Sequence, residues 1–370
     1  FGAEYEQWVS ASNLWARDAS YAERDTWQEL TIRNIAGFAE HQWDIDGEWS
    51  TTVGLRVDDH NIVGTNVSPR LALNRRIGTD HFARLSFSSG YRLPTAIELG
   101  IEEFFFRVDD EIEAEDIDSL DLSWQGKVDD VGIRAGAFYN RTNGLLWFQP
   151  VAATDMQAAW IDWLVAGDNT QQPGPFFELQ NLDNPNHGVG LELASDWKVN
   201  NNITLWGNGT WQHYAFENEI RYQSDGFVDP YSGNTLFRFD ETFPDDINAP
   251  PQWKFNAGVQ FQTGPIFATA IVRYVGDRTI FSFPNSQIQG SGPLAVQEVP
   301  AYAALDLAIG WMHQHADGRV SSIRIAIMDL ANNRHYETYQ ASTDGLLLDD
   351  EVQFSAENGR KVALVGDLKF

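Results

Sequence analysis

The sequence predicts an all-β protein, a transmembrane antiparallel β-barrel, on three observations. Apolar and polar side chains alternate with a period of two in one stretch after another, as in strands with one apolar and one polar face. The gaps between these stretches are alternately short and long, which is the asymmetry that membrane barrels show between their two ends. The last stretch keeps the alternation up to a terminal aromatic residue, Phe370.

That last stretch, residues 359–370, predicts the strand that closes the barrel. A strand that is apolar on one face and polar on the other suits a wall between lipid and a polar lumen. A terminal strand also exposes an unpaired edge, which a closed barrel removes by pairing it with the first strand. The apolar face carries Val362, Leu364, Leu368 and Phe370, and the other face carries Lys361, Asp367 and Lys369.

About fourteen strands are predicted, each near the roughly 9–11 residues that cross a bilayer, or longer. Short turns are expected at residues 44–47, at Gly78 and at residues 127–130, 200–202, 263–265 and 316–318, because Gly, Asn and Asp favour tight turns. A medium loop is expected after His60, and long loops are expected between the other hairpins. The strands lie near residues 30–43, 49–60, 68–77, 81–92, 117–126, 131–147, 187–199, 203–216, 253–262, 266–277, 301–314 and 319–330, with a weak strand at the start and the closing strand at the end.

Two sets of side chains fit this arrangement. Arg or Lys facing lipid at mid-depth would cost about 2–4 kcal/mol, so the charged strand residues are assigned to the lumen, where they solvate the interior or pair with one another. A role in substrate passage is the alternative for them. Trp residues beside short turns are assigned to an aromatic girdle, with ordinary packing as the alternative. The lumen set is Arg56, Arg84, Arg134, Glu192, Lys254, Arg273 and Arg324, and the girdle set is Trp43, Trp49, Trp124, Trp197 and Trp311.

The composition narrows the function. The chain has 370 residues, of which 53 are acidic and 25 basic, with a formal charge of −28 and no Cys. The acidity argues against nucleic-acid binding, and the absence of Cys removes disulfide and thiol chemistry. No run of about 18 apolar residues is present, which excludes a transmembrane helix. No catalytic constellation stands out, so we expect neither an enzyme nor a cofactor.

The first residues, Phe1 to Trp8, are typical of the middle of a strand. We therefore expect that the natural protein has a further N-terminal part, including any targeting signal. We also expect that the chain does not close into a barrel without those preceding strands.

Five runs stand out as motifs, in a fixed order. They are Gly54-Leu-Arg-Val-Asp58; Ser68-Pro-Arg-Leu-Ala72; residues 86–100 with Tyr91, Arg92, Pro94, Thr95, Glu98 and Leu99; Pro300-Ala-Tyr302 with Leu305-Asp-Leu307; and Met328-Asp-Leu-Ala-Asn-Asn-Arg-His-Tyr336. With the terminal Phe370, this ordered set resembles the barrel of TonB-dependent outer-membrane receptors. Two features depart from the family pattern: Met328-Asp329 replaces the common Val-Asn, and an acidic run without Pro replaces the usual Leu-x-Pro-Glu segment after Pro94.

The resemblance implies a barrel of roughly 22 strands around an N-terminal plug domain. Residues 1–370 would supply only the C-terminal strands, without the plug. It implies energised uptake through the outer membrane of a Gram-negative cell, usually of a ferric siderophore, with haem, cobalamin, other metals and glycans as further classes. Implied partners are the TonB–ExbB–ExbD system through the missing plug, outer-membrane lipid, and the BAM assembly machinery through the C-terminal strand.

Candidate ligand-binding residues lie in two long loops. The loop near residues 93–115 is crowded with carboxylates around a short aromatic run; it is a lid over substrate, a divalent-cation site or simply a solvated surface. The two Trp residues of the next long loop either grip an aromatic or sugar ligand or pack within the loop. The candidates are Phe104, Phe105, Phe106, Asp109, Asp110, Trp160 and Trp163, and no metal ligand is assigned.

His313 and His315 share one strand face near a short turn, where haem or metal binding is the alternative to a plain surface position. Two other functional classes stay open at this point. One is a passive, porin-like barrel, and the other is a secreted soluble β-sandwich that binds or hydrolyses carbohydrate.

Overall fold

The computed structural model describes residues 1–10, 30–95, 98–99, 106–109, 111–151, 177–228, 233, 235–236, 238–282, 295–315, 319–333, 336–339, 354–356 and 359–367. Within these residues the strands are β1 Gly2–Ser10, β2 Leu30–Asp44, β3 Trp49–His60, β4 Gly64–Ile77, β5 His81–Arg92, β6 Phe106–Val108, β7 Glu115–Val128, β8 Val131–Asn143, β9 Leu146–Pro150, β10 Phe177–Asn181, β11 Asn186–Lys198, β12 Ile203–Phe216, β13 Ile220–Ser224, β14 Phe227–Val228, β15 Thr235–Leu236, β16 Phe239–Phe243, β17 Trp253–Thr263, β18 Ile266–Val275, β19 Arg278–Ser282, β20 Ala295–Val299, β21 Tyr302–Gln314, β22 Val320–Met328, β23 Tyr336–Tyr339, β24 Phe354–Ala356 and β25 Lys361–Asp367.

Fourteen strands form one main sheet, in the order β1-β2-β3-β4-β5-β7-β8-β11-β12-β17-β18-β21-β22-β25. Every pair is antiparallel, and the sheet order follows the chain order, as in the wall of an up-and-down barrel. The predicted number of strands and their pairing are confirmed. β1 and β25 lie at the two ends of the sheet, which is open. None of the helical segments among the described residues is long and apolar enough to cross a membrane.

The connections of the main sheet define two ends. At the short-turn end, neighbouring strands are separated by residues 45–48, 78–80, 129–130, 199–202 and 264–265. At the long-loop end lie residues 93–114, 144–185, 217–252, 276–301 and 329–360. The medium loop expected after His60 was wrong, because only residues 61–63 separate β3 from β4. β4 begins at Gly64, so these two strands extend further at the long-loop end than the pattern indicated.

The two faces of the main sheet separate apolar from polar residues as predicted. On β3, Val53 and Leu55 are 52% and 49% exposed on the outer face, while the intervening side chains face the opposite way. The predicted lumen residues lie on that inner face, since the strand register pairs them with other inward positions. The five Trp residues of the girdle set lie on the outer face at the short-turn end, as a girdle at a membrane interface requires.

A second aromatic set lies on the outer face at the long-loop end. Phe255 and Tyr274 stack with ring centroids 4.8 Å apart, and Trp211 and Trp253 lie 6.5 Å apart on the neighbouring strands. Tyr139 adds a ring on β8. Ile266 pairs with Trp311 of the girdle set, and Tyr274 of the second set lies eight residues further along the same strand. Eight residues span roughly 27 Å along a strand. Since strands tilt, the two sets are spaced like the girdles of a bilayer-sized apolar band.

Inner-face aromatic rings lie flat over glycines of the adjacent strand. A Cβ atom built on Gly258 would lie 2.6 Å from the Trp206 ring, and one built on Gly310 would lie 2.4 Å from the Phe267 ring. Glycine is required at these two positions because the ring occupies the space of a side chain. This packing covers sheet backbone and pins the strand register.

We expect Gly258→Ala to destabilise the barrel by about 1–3 kcal/mol, because the new methyl group must displace the Trp206 ring. The measurement is the thermal unfolding midpoint of the folded protein in detergent, followed by β-sheet circular dichroism. Gly37→Ala on β2 is the matched control, since no heavy atom lies within 4 Å of its added Cβ. Equal shifts for the two variants would contradict the packing argument.

Among the described residues, the long-loop end carries five small sheets. β6, β10 and β9 form one with a parallel β6–β10 pair, and the other four are the pairs β13–β16, β14–β15, β19–β20 and β23–β24. The segments expected to be plain loops are therefore partly built from strands of their own. They form a layer above the wall of the main sheet, and the candidate site is there.

Candidate functional site at the long-loop end

Arg92, at the end of β5, holds two carboxylates together. Its Nε and Nη2 atoms donate to the two carboxylate oxygens of Glu115 at 2.5 and 2.6 Å, and its Nη1 donates to Glu98 Oε2 at 2.9 Å. Glu115 Oε1 also accepts the backbone N–H of Leu146 at 2.8 Å. Glu115 is only 7% exposed, whereas the Arg92 side chain is 43% exposed, so the carboxylate is the buried partner of this bidentate pair, which joins β5, β7 and β9.

Thr95 and Glu98 form a capping box that starts one helical turn. The Thr95 N–H donates to Glu98 Oε2 at 2.7 Å, and the Glu98 N–H donates to Thr95 Oγ1 at 3.2 Å. The turn is closed by the Leu99 N–H, which donates to the Thr95 carbonyl oxygen at 3.0 Å. The capping box fixes the direction in which the chain leaves the barrel wall and brings Glu98 to Arg92.

Burial would raise the pKa of the Glu98 carboxyl, but hydrogen bonds from Arg92 and from Thr95 outweigh it, so the pKa lies below the ordinary value of 4.5. A lowered folded-state pKa means that the carboxylate stabilises the capped turn fully above about pH 4.5 and loses this effect as the pH falls through the folded pKa. We expect the protection of the amides of residues 98–99, taken relative to their intrinsic exchange rates at each pH, to fall below that pH. Glu98→Gln should remove this pH dependence, and an unchanged profile in that variant would contradict the assignment.

A small apolar cluster lies beneath this clamp. Ile112, Leu146 and Leu179 are buried to 9% exposure or less, and Leu99, Val108 and Phe148 pack against them. The Asn181 side chain joins the same segments, because Oδ1 accepts the Glu113 N–H at 2.8 Å and Nδ2 donates to the Gly144 carbonyl at 2.6 Å. The segments 93–114 and 144–185 are therefore packed together at their bases.

The next long segment, 217–252, joins this layer through Tyr222. Tyr222 is 0% exposed, its hydroxyl donates to the Phe148 carbonyl oxygen, and its ring meets the Phe243 ring edge-on at 5.2 Å. Burial raises the pKa of Tyr222, so the hydroxyl stays protonated and remains a donor. Trp147 and Phe216 make a further edge contact at 6.0 Å. We call the connected bases of these three segments the loop platform.

A second polar network lies at the inner wall beside the loop platform. Asp58 is fully buried and accepts hydrogen bonds from Arg56 Nη2 at 2.8 Å, from Asn34 Nδ2 at 2.8 Å and from the Tyr91 hydroxyl. Arg56 Nη1 also contacts Glu4 Oε2 at 2.9 Å. This network connects β1, β2, β3 and β5, and it unites the Gly54–Asp58 motif with the Tyr91 motif in one arrangement.

The motif at residues 328–336 ends β22 with a compact turn. Asp329 and Asn332 have positive φ angles of 49° and 56°, and the Asp329 N–H donates to Asp306 Oδ1 at 2.9 Å. Asn332 Oδ1 accepts the Arg360 N–H at 2.9 Å, which brings the start of the last strand to this turn. The Asn-rich run suits this geometry because Asn and Asp tolerate the left-handed region.

The predicted family-motif residues occupy structural positions. Tyr91 and Arg92 hold the two networks, Pro94 is buried, Glu98 completes the capping box and Leu99 packs on the apolar cluster. The sequence did not identify the buried partners Asp58, Glu115 and Tyr222. Asp58 stood in a motif and could have been singled out, whereas Glu115 and Tyr222 carry no local signal.

The predicted ligand-binding residues are only partly covered. Asp109 Oδ1 accepts the Glu111 N–H at 2.9 Å, and the Asp109 N–H donates to the Leu179 carbonyl at 3.0 Å, so this carboxylate shapes a turn. The backbone of Phe106 belongs to β6. Among the described residues, no group of three or more His, Asp or Glu side chains is arranged to hold a metal ion. The other candidates lie outside the described residues: Phe104, Phe105, Asp110, Trp160 and Trp163, together with Phe370.

The sequence matches a family model, "TonB dependent receptor-like, beta-barrel", over residues 1–327. This match covers most of the chain and ends within β22. The chain belongs to the TonB-dependent receptor β-barrel family. A curated relative, the ferrienterobactin receptor of Escherichia coli K12, is 30% identical over 76 residues, which is 20% of this chain and 10% of that protein.

Several solved structures share the fold. A ferric enterobactin receptor from Pseudomonas aeruginosa superposes with a TM-score of 0.61 at 15% identity, over 90% of this chain and 45% of that one. The siderophore receptor PirA from Acinetobacter baumannii gives 0.59 at 14% identity, over 88% and 45%. The copper transporter OprC gives 0.61 at 13% identity, over 91% and 48%. The chain thus spans less than half of each of these three proteins, and at such identities the likeness shows the barrel fold alone.

Proposed function

We propose that this chain is the C-terminal part of the barrel of an outer-membrane receptor, which takes up a scarce nutrient with energy from the TonB system. The loop platform is the observation that carries the proposal. It packs three long segments on one end of a membrane-sized barrel wall, as a receptor needs for capturing a ligand outside the cell. Family membership and siderophore receptors among the similar proteins support a ferric siderophore as the ligand.

Charge at the long-loop end narrows the ligand class further. The six long segments that connect main-sheet strands at this end, 11–29, 93–114, 144–185, 217–252, 276–301 and 329–360, hold 33 acidic and 8 basic residues. They therefore carry net −25 of the formal charge of −28 of the whole chain. A surface of one sign steers ligands of the opposite sign inward and repels those of the same sign.

Ferric complexes differ in net charge according to their chelating groups. Three catecholate groups leave Fe³⁺ with a large net negative charge, whereas three hydroxamate groups neutralise it. A strongly acidic entry face repels the anionic catecholate complexes but not the neutral hydroxamate complexes, because like charges in apposition are costly. We infer that the ligand is a neutral or cationic ferric complex of the hydroxamate type.

Uptake of radiolabelled ferric complexes by cells that carry the full natural receptor tests this proposal. We expect import of a neutral tris-hydroxamate complex, lost in cells without TonB. Association of an anionic tris-catecholate complex should be slower, and it should accelerate as ionic strength rises from about 0.01 to 0.15 M, since the screening length falls from about 30 to 8 Å. Faster catecholate association at low salt would overturn the ligand class, and import without TonB would indicate a passive channel instead.

Charge removal in the first acidic segment provides the matched variants. The structure favours substitution over deletion, because Ile112 and Glu115 of this region hold the loop platform together. Four substitutions are expected to speed catecholate association and slow that of a cationic complex: Glu102→Gln, Glu103→Gln, Glu111→Gln and Glu113→Gln. Asp129→Asn with Asp130→Asn removes charge at the short-turn end and should change neither rate.

The predicted contact residues remain part of this proposal. Phe104, Phe105 and Phe106 would supply an apolar surface to the ligand, and Trp160 and Trp163 would stack on its flat groups. Asp109 and Asp110 would add polar contacts. Single alanine substitutions at Trp160 and Trp163 should weaken equilibrium binding of the imported complex, and unaltered dissociation constants would remove them from the site.

A further inference from the structure

A groove of about 350 Å³ lies on the outer face of the barrel wall, across β17, β18, β21 and β22. It follows from two rows of paired residues. In the lower row Ala268 pairs with Phe261 on one side and with Ile309 on the other. In the row above it, Ala270 lies between Val259 and Leu307. Small side chains between large ones leave a trough whose lining is almost entirely apolar.

The groove lies in the half of the wall that is nearer the short-turn end. On the outer face of β21, Trp311 of the aromatic girdle lies two residues closer to the short-turn end than Ile309. His313 and His315 follow on the same face, each two residues further on. The Trp311 and His313 rings stack at 5.6 Å with planes 6° apart, and His315 meets His313 edge-on at 4.8 Å. The second His ring is held by Ser321, whose Oγ is 2.8 Å from His315 Nε2. His313 is therefore a fixed polar group directly below an apolar trough.

We propose that this groove with His313 is a binding site for one phospholipid of the periplasmic leaflet, with an acyl chain in the trough and the phosphate at His313. The four residues from Ile309 to His313 advance roughly 13 Å along the strand, which is close to half of the roughly 30 Å hydrocarbon thickness. A phosphate at the His313 level thus places the middle carbons of an acyl chain beside Ala268 and Ala270. The inference rests on the barrel fold and does not depend on the ligand proposed above.

The position of the groove decides between lipid sources. Lipid A lies in the external leaflet, so its phosphates would lie near the upper girdle of Trp253 and Tyr274, not near His313. The trough ends two rows above Trp311, well below that girdle. The volume is at the lower end of that of small-molecule sites, roughly 300–1,000 Å³. An anionic or zwitterionic glycerophospholipid therefore fits the site better than lipid A.

Native mass spectrometry of the full receptor in mild detergent, titrated with phosphatidylglycerol, phosphatidylethanolamine or lipid A, tests the proposal. We expect one tightly retained phospholipid on the wild type. Ala268→Leu with Ala270→Leu fills the trough with side chains that still suit a lipid-facing wall, and should weaken retention about tenfold or more. Ala39→Leu, at an exposed outward position on β2, is the control and should leave it unchanged.

The headgroup contact has its own readout. His313→Ala should weaken the retention of phosphatidylglycerol and of phosphatidylethanolamine alike, by several-fold, while the trough still holds an acyl chain, because the ring N–H that bonds to the phosphate of both lipids is lost. Equal retention by the wild type and the filled-trough variant would overturn the site. Preferential retention of lipid A would overturn the assignment to the periplasmic leaflet, and unaltered retention of both phospholipids by the His313 variant would overturn the assignment of the phosphate to His313.

Discussion

Arg56→Ala is expected to lower the free energy of unfolding by about 3–5 kcal/mol, because it leaves Asp58 as a buried charge without its cation. Asp58 has no exposed surface, and its other donors are Asn34 and Tyr91. Neither donor is charged, so together they offset only part of the cost of desolvating the carboxylate. The measurement is the thermal or denaturant midpoint of the folded barrel in detergent.

Arg70→Ala is the matched control for that variant. Arg70 also faces the lumen, but its Nη1 lies 3.9 Å from Glu40 Oε2 and the two side chains are 54% and 44% exposed. An exposed pair of this kind contributes about 0–1 kcal/mol. Arg56→Ala with Asp58→Ala should recover part of the loss, since the uncompensated charge is then absent. An equal loss of unfolding free energy in Arg56→Ala and Arg70→Ala would show that the burial of Asp58 does not determine the cost of removing Arg56.

The wall of the barrel could be predicted because its physical constraint repeats every two residues. Lipid on one side and a polar lumen on the other force alternation, so Val53 and Arg56 could be assigned to opposite faces from sequence alone. The start of β4 was missed because Gly64, Asn66 and Pro69 are typical of loops. The ladder tolerates Pro69 because β4 pairs with β5 only from Arg70 onward, which leaves one edge of that residue free.

The loop platform could not be predicted for a different reason. Its contacts join residues far apart in the sequence, as in the parallel pair of β6 with β10 or the bond from Tyr222 to Phe148. No pattern within a short stretch of sequence predicts contacts of this kind. The family resemblance identified Arg92 and Glu98, but their role as a clamp required Glu115, which a sequence of 53 acidic residues does not single out.

Tyr222→Ala is expected to separate the segment 217–252 from the rest of the loop platform. Truncating a fully buried large side chain costs about 3–5 kcal/mol when the cavity does not collapse. Here the loss also leaves the Phe148 carbonyl without the Tyr222 hydroxyl and removes the ring contact with Phe243. Since the main-sheet strands keep their own pairing, the global unfolding midpoint should change little, while amide exchange in β9 and β13 accelerates markedly.

Tyr222→Phe separates the hydroxyl from the ring. It keeps the contact with Phe243 and removes one donor, so it should cost about 1–3 kcal/mol through the buried carbonyl alone. If the three segments of the loop platform bind the ligand as a single rigid unit, ligand affinity should fall in the order wild type, Tyr222→Phe, Tyr222→Ala. Amide exchange in β9 should become faster in the same order. Ligand affinity that is indifferent to both variants, with exchange accelerated, would show that the packed bases support the loops without shaping the binding surface.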